Sequence, residues 1–518
     1  MLRSLFLSFV ALTAFAGSAV AEVKLPPVLS SHMVLQRERA VPIWGTAAAG
    51  EKVTVKFRDQ VKTATAGDDG KWAVKLDALK VGPAAQLVVS GTNAITLDDV
   101  LVGEVWVGSG QSNMAGAVGG YAKGDPALEK LASAAYPKIR LLKGSGKWQE
   151  CTPATAGPFS ALLFAFGVKI HEALDVPVGL MVGAVGGTPS GYWLTEEMLK
   201  KDEPSQASIA AAAKAYDPEK AKKVYELTLA KWEKDAEIAK KDNKPAPRKP
   251  STPAAPGQSA GKIGNLYDAH IKPMVPFAIR GVLWDQGEAG TQVTAVDQFA
   301  LMGALIKGWR GAWYQDFAFI YVQKISGGGN AWDYEDPITN KAEKFEQLPT
   351  AVPPTSDGHY RELHIKIMKH PNTYMAIATD LGPMTHPTNK SGYGIRSARV
   401  ALGAVYGQKL EYYGPIFKSH AVEGNKVRVS FDHAASGLSF KHGDKLQGFA
   451  VAGEDKVFHW ADTVIDGQTV VVSSEKVAKP VAVRYGFASK HPWANLFNND
   501  HLPAVAFRTD SWTDGKGK

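Results

Sequence analysis

The sequence predicts an α/β protein: a parallel β-sheet core with helices on both faces, flanked at each end by a β-sandwich-like module. Three observations predict it. Across residues 101–410, short apolar runs of strand length alternate with longer stretches of helical spacing, the pattern of a parallel sheet covered on both faces. On either side of that region the pattern changes to short alternating segments punctuated by turn residues, which is how antiparallel sandwiches read. The chain also has 518 residues, more than one compact core organises, so several domains are expected.

The elements follow in order. Arg3, the apolar run over 5–16 and Ala19-Val20-Ala21 make residues 1–21 a cleavable export signal. The run is shorter than the roughly 20 residues of a membrane span, so the protein is expected to be exported, periplasmic or secreted, with no membrane partner. Residues 22–100 form the N-terminal module: 53–57 and 72–76 alternate, with Asp68-Asp69-Gly70-Lys71 as a turn between them. In the core domain, 101–410, strands are expected at 101–107, 139–142, 178–185, 279–284, 317–322 and 374–379. Helices are expected at 159–174, 299–313, 360–369 and 395–405. An insertion at about 197–262 interrupts it, with a charged Ala/Lys/Glu helix over 219–241 and a Pro/Ala linker over 244–261. Residues 411–518 return to β patterning at 427–431 and 469–472, broken by Gly437, Gly443, Gly448 and Gly453.

Composition excludes several functions. The formal net charge is +8, but the lysine excess gathers in 214–249, where Tyr216, Tyr225 and Trp232 are the only aromatics, which is a solvated helix and linker rather than a nucleic-acid surface. Cys151 is the single cysteine, so no internal disulfide and no thiolate cluster can form. His359, His364 and His370 are five and six residues apart and do not share a helical face. No metal and no cofactor is expected. The sequence carries no signal for the oligomeric state.

Chemistry is expected beyond the carboxyl ends of the parallel strands, where such sheets bind their ligands. The first core strand runs into Gly108-Ser109-Gly110-Gln111-Ser112-Asn113-Met114. A nucleophilic serine needs such a turn, with its hydroxyl above the sheet and backbone N–H groups free beside it. The third strand leads to Gly186-Gly187-Thr188-Pro189, whose glycines let backbone approach a substrate oxygen. The fourth leads to Trp284-Asp285-Gln286-Gly287-Glu288, where the Gln286 amide is placed to donate to an oxyanion. The last leads past Asp380 to His386. Serine, glycine, glutamine and histidine at four strand ends are the parts of acyl transfer. Gly257-Gln258-Ser259-Ala260-Gly261 matches the G-x-S-x-G pattern but ends a linker with no strand before it, so Ser259 is set aside.

These segments carry a resemblance. Gly110-Gln111-Ser112-Asn113-Met114, Gly186-Gly187-Thr188-Pro189, Gln286-Gly287-Glu288 and His386-Pro387-Thr388-Asn389-Lys390 resemble, in order, the blocks of the sialate O-acetylesterase family. That family is a branch of the SGNH hydrolases that includes plant-polysaccharide acetylesterases. Phe159-Ser160-Ala161, Trp309-Arg310 and Ala494-Asn495-Leu496-Phe497-Asn498 extend the likeness, which runs from about 27 to 512 and is weakest near 200–260. The resemblance implies an SGNH-type, flavodoxin-like core and a carbohydrate O-acetylesterase, a serine carboxylic-ester hydrolase working through an acetyl-enzyme. Ser112 is then the nucleophile and His386 its base. The oxyanion hole comprises the Ser112 N–H, an N–H of Gly186 or Gly187, and the Gln286 side chain. Gln111, Asn113, Trp193, Trp284 and Glu288 are assigned to substrate, with Trp332 a further ring for stacking on sugars. One departure stands out: Pro383 and Met384 occupy the positions where many SGNH enzymes have the aspartate that orients the histidine. Asp380, Glu288, Asp285 or a backbone carbonyl remain to hold the ring; a Ser–His dyad is the preferred reading, with Asp380 as its third member if there is one. The acetyl ester is expected on sialic acid or on a plant polysaccharide. The alternative is a non-catalytic carbohydrate-binding protein on a hydrolase scaffold.

Overall fold

A computed structural model describes residues 22–353 and 356–512; the expected export signal lies outside them. Six parallel strands form the central sheet: β1 (Ala94–Gly110), β2 (Tyr136–Lys143), β3 (Val178–Ala184), β4 (Gly281–Asp285), β5 (Ala318–Val322) and β6 (Thr373–Ala376). Their spatial order is β6-β5-β4-β1-β3-β2, or 2-3-1-4-5-6 along the sheet. This departs from the 2-1-3-4-5 order of the flavodoxin type: β3, not β2, lies against β1. The switch of direction falls at β1, so the crevice opens over its carboxyl end.

Register aligns the strand ends. Gly110 pairs with Ala184 on one side and with Asp285 on the other. Residues 111–112, 185–187 and 286–288 therefore leave the sheet side by side. Side chains alternate between faces, and two sets of helices use the two faces. Helices α1 (Ala161–Leu174) and α4 (Lys390–Val400) pack against each other. α1 covers the face of Trp106 and Gly108, where Leu163 and Phe166 reach the sheet. Helices α2 (Gln298–Trp313) and α3 (Ser356–Ile367) pack together, and Trp309 of α2 meets Trp284 on the opposite face. α4 begins five residues earlier than periodicity predicts because the Asn389 side chain caps it, accepting from Gly392 N–H at 2.9 Å.

β1 is 17 residues long and does two jobs. Residues 94–100 pair antiparallel with Ala85–Ser90 of the N-terminal sheet, and residues 104–110 form the centre of the parallel sheet. The expected boundary at residue 100 thus falls inside one strand, and a single apolar core runs from Val23 through Val53 and Val105 to Ile320. The C-terminal sheets, among them Lys426–Asp432, Thr469–Ser473, Phe449–Ala452 and Ala482–Tyr485, enclose a second core around Val429, Phe449, Val470 and Leu496. In the insertion, helices Glu203–Ala215 and Pro218–Lys241 precede the linker, and the second of them buries no residue. Among the described residues no helix is long and apolar enough to cross a membrane.

Candidate active site

The site begins with Gly110. Its φ is +127°, and a Cβ there would lie 2.1 Å from the Asp285 carbonyl oxygen, so only glycine fits. The Gln111 N–H donates to that same carbonyl at 2.8 Å, and the Val185 N–H donates to the Gly110 carbonyl at 3.1 Å. Both neighbouring strands therefore hold the turn. Ser112 is the first residue of a four-residue helix, Ser112–Ala115, and is half-buried. Its Oγ lies 2.8 Å from Nε2 of His386, an exposed residue 274 positions away.

Gly186 lies beside the serine. A Cβ on it would lie 3.5 Å from the Ser112 Cβ and 4.0 Å from the Ser112 nitrogen. Among the described residues neither the Ser112 nor the Gly186 N–H donates to another protein group. Gly187 has φ +72° and open space beside it.

Other expected site residues do something else. Gln286 is buried, and its Nε2 donates to the carbonyls of Thr188 at 3.1 Å and Gly290 at 3.3 Å. Both partners only accept, so both amide protons are committed; Gln286 ties two loops together and is not a free oxyanion donor. Asp380 is not brought to the imidazole, because Arg396 takes both its oxygens, at 3.2 and 2.9 Å. Among the described residues His386 makes no ion pair with any carboxylate. Trp193 and Trp284 are buried and meet edge to face, with Trp309 against Trp284 in turn; they are core and offer no face to a sugar. Trp332 is half-exposed, but His501 stacks on its ring and the Lys441 ammonium lies 3.6 Å from its centroid.

Gln111 and Asn113 are also buried and serve a polar network beneath Ser112. The Gln111 side chain donates to Glu288. Asn113 Nδ2 donates to the Thr385 carbonyl at 2.9 Å, and its Oδ1 accepts from Lys390 Nζ at 2.7 Å. Lys324 Nζ meets Asp285 at 2.7 Å and Glu288 at 2.8 Å, with Lys324 and Asp285 wholly enclosed. Burial alone would lower the Lys324 pKa, but the two carboxylates outweigh it and hold it above its usual value. Lys390 is differently placed. Burial is its largest influence, Asp285 opposes and Lys324 adds to it, and the ammonium is brought down to about 7.

Sequence reasoning missed both lysines. A signal for Lys324 exists: it follows β5, an all-buried strand, by two residues, the placement that singled out Gln286. Lys390 stands in the sequence block that contains His386, where nothing marks it as buried or gives it a task of its own. Among the described residues one cluster has metal-ligand types, His32, Asp99 and Glu150, but the Arg140 guanidinium sits on Asp99 at 2.7 Å and on Glu150 at 3.1 Å and already supplies the cation.

No family model matches the chain. The sialate O-acetylesterase of Rattus norvegicus is 27% identical over 440 residues, 75% of this chain and 75% of that protein. The human sialate O-acetylesterase is 26% identical over 438 residues, 75% of this chain and 72% of that one. A solved structure of a carbohydrate acetylesterase from Xanthomonas citri superposes with a TM-score of 0.73 at 30% identity, over 95% of this chain and all of that one. Fold and sequence thus meet in one class of protein, the ester hydrolases. Within that class, the chain belongs to the carbohydrate acetylesterases, and the sialate O-acetylesterases are among its curated relatives.

Proposed function

We propose that this chain is an O-acetylesterase that removes acetyl groups from carbohydrate by Ser112–His386 catalysis. The observation that carries the reading is the 2.8 Å contact between Ser112 Oγ and His386 Nε2 at the carboxyl end of the central strand. His386 takes the Ser112 proton as Oγ attacks the acetyl carbonyl. The developing oxyanion meets the N–H groups of Ser112 and Gly186, both free of other partners among the described residues. As the acyl C–O bond breaks, His386 passes its proton to the leaving sugar oxygen, which departs as a hydroxyl, and water activated by the same base then releases acetate from the acetyl-enzyme. The core is read as SGNH-type, with Ser112 after its first strand and the glycine donor after its third. An acetylated sugar as substrate is supported by the relatives, which are named for sialate and for carbohydrate acetyl esters. Export follows from the leader pattern in residues 1–21.

The test is acetate release from an aryl acetate and from a panel of acetylated glycans, with the wild type, Ser112→Ala and His386→Ala. The reading expects turnover by the wild type and a loss of about 10³-fold or more in kcat for either variant. A wild type that binds glycans without turnover points instead to the binding-protein alternative. Undiminished activity of Ser112→Ala removes the mechanism.

A further inference from the structure

His386 is exposed and, among the described residues, pairs with no carboxylate, yet its ring stands at hydrogen-bond distance from Ser112. Something else must fix it. Thr385, immediately before it, has φ +74°, a conformation that costs a β-branched residue about 1–3 kcal/mol and persists only where its surroundings enforce it. The carbonyls of the residues on either side of His386, Thr385 and Pro387, are both captured. Asn113 Nδ2 donates to the Thr385 carbonyl at 2.9 Å. Lys390 Nζ donates to the Pro387 carbonyl at 2.7 Å. The two captors are joined, since the same Nζ donates to Asn113 Oδ1 at 2.7 Å. Asn113 is the residue after Ser112, so the chain of contacts closes on itself: serine, asparagine, the histidine loop, histidine, serine.

We infer that Asn113 and Lys390 act together as positioning residues, a clamp that holds His386 over Ser112 in place of a triad acid. The inference rests on the Ser112–His386 reading above. Two features argue that the lysine is kept for this purpose rather than for stability. Its side chain is wholly buried, which for an ammonium is costly. It is also the first residue of α4, the helix end where positive charge is disfavoured. The ammonium lies 4.5 Å from the Tyr121 ring centroid and 5.8 Å from that of Tyr393, so aromatic faces line the hole while the carbonyl and amide oxygens take its protons. A histidine oriented by its neighbours' carbonyls needs no acid of its own, which is consistent with Pro383 and Met384 standing where the acid would be.

The experiment compares wild type, Lys390→Met, Asn113→Ala and the double variant on an aryl acetate, and measures the rate at which a fluorophosphonate labels Ser112. The expected result is a 10- to 100-fold fall in kcat for each single variant with KM changed less than about threefold, and a parallel fall in labelling rate. As members of one clamp, the two changes together should cost no more than the worse one alone. Asn113→Asp keeps an acceptor for Lys390 but loses the donor to Thr385, and should behave like Asn113→Ala; it also serves if Lys390→Met does not fold. Folded single variants with wild-type kcat, a change confined to KM, or multiplicative losses in the double variant would overturn the clamp. Those outcomes with an active wild type and a dead Ser112→Ala leave the esterase reading standing; an active Ser112→Ala sinks that reading itself.

Discussion

Arg396 grips Asp380 at both carboxylate oxygens, 3.2 and 2.9 Å from its two terminal nitrogens, and also donates to the Ile377 carbonyl at 3.1 Å. The pair locks the loop after β6 onto α4, and Asp380 is buried. Breaking one side of such a pair leaves an uncompensated charge. Asp380→Asn is therefore expected to lower stability by about 3 kcal/mol, seen as a lower urea midpoint. The kcat of the folded variant should stay within about threefold of wild type. A drop near 10⁴-fold, the scale for loss of a triad acid, would return Asp380 to the catalytic machinery.

Gly110→Ala tests the turn beneath the serine. The added methyl would meet the Asp285 carbonyl at 2.1 Å, in a backbone conformation of φ +127°. Strain and clash together are expected to cost about 3 kcal/mol or more. Any protein that folds should have lost most of its kcat, because relief requires moving Gln111 and Ser112. Chemical denaturation and steady-state kinetics on the same preparation check both.

Gln286→Ala separates two roles. The carbonyls of Thr188 and Gly290 would lose their donor, at a cost of about 1–3 kcal/mol. A free oxyanion donor would cost about 10²–10³ in kcat; a loop tie should cost less than about tenfold. Thermal unfolding and kcat distinguish the outcomes.

Stability should fall with acid before the carboxylates titrate. Burial brings His364 down to about 3, with Lys324 and Arg361 adding to the effect, and burial holds His491 well below its ordinary value, again with help from Arg361. Both are neutral in the folded protein near pH 6 and protonated once unfolded. The unfolded chain thus binds more protons, and stability rises with pH across that window. It is complete above about 6.5 and is lost progressively toward pH 3. Urea midpoints measured from pH 7 to 4.5 should decline, and His364→Gln should flatten the decline. An unchanged slope would mean that His364 is protonated in the fold.

Much of this was legible in the sequence because strand ends are. Apolar runs located β3 to within a residue, and the strand-end rule put Ser112, Gly186 and His386 on one side of the sheet. What failed was the direction of side chains. Gln286 follows a strand, but nothing in its neighbours' identities tells that two carbonyls will claim its amide. Trp284 belongs to β4 itself, and the alternation of that strand turns its ring into the helix layer. Lys324 and Lys390 were passed over for a physical reason: lysine is almost never buried unless paired, and their partners Asp285, Glu288 and Asn113 come from distant segments. Asp380 read as a candidate acid because Arg396, sixteen residues on, could not be known to reach back.

One strand has a consequence for how such a protein can be inherited. The filament that ends at Gly110 starts at Ala94, in the N-terminal sheet. An exchange of gene segments that replaced this first sheet would also remove the beam from which the reactive turn hangs, so the two must travel through evolution as one piece. The C-terminal sheets have an apolar interior of their own and are joined to the rest by side-chain contacts such as Arg508 to Glu362 and Val505 in the first core, so an exchange there would have to remake those contacts but would leave the beam whole.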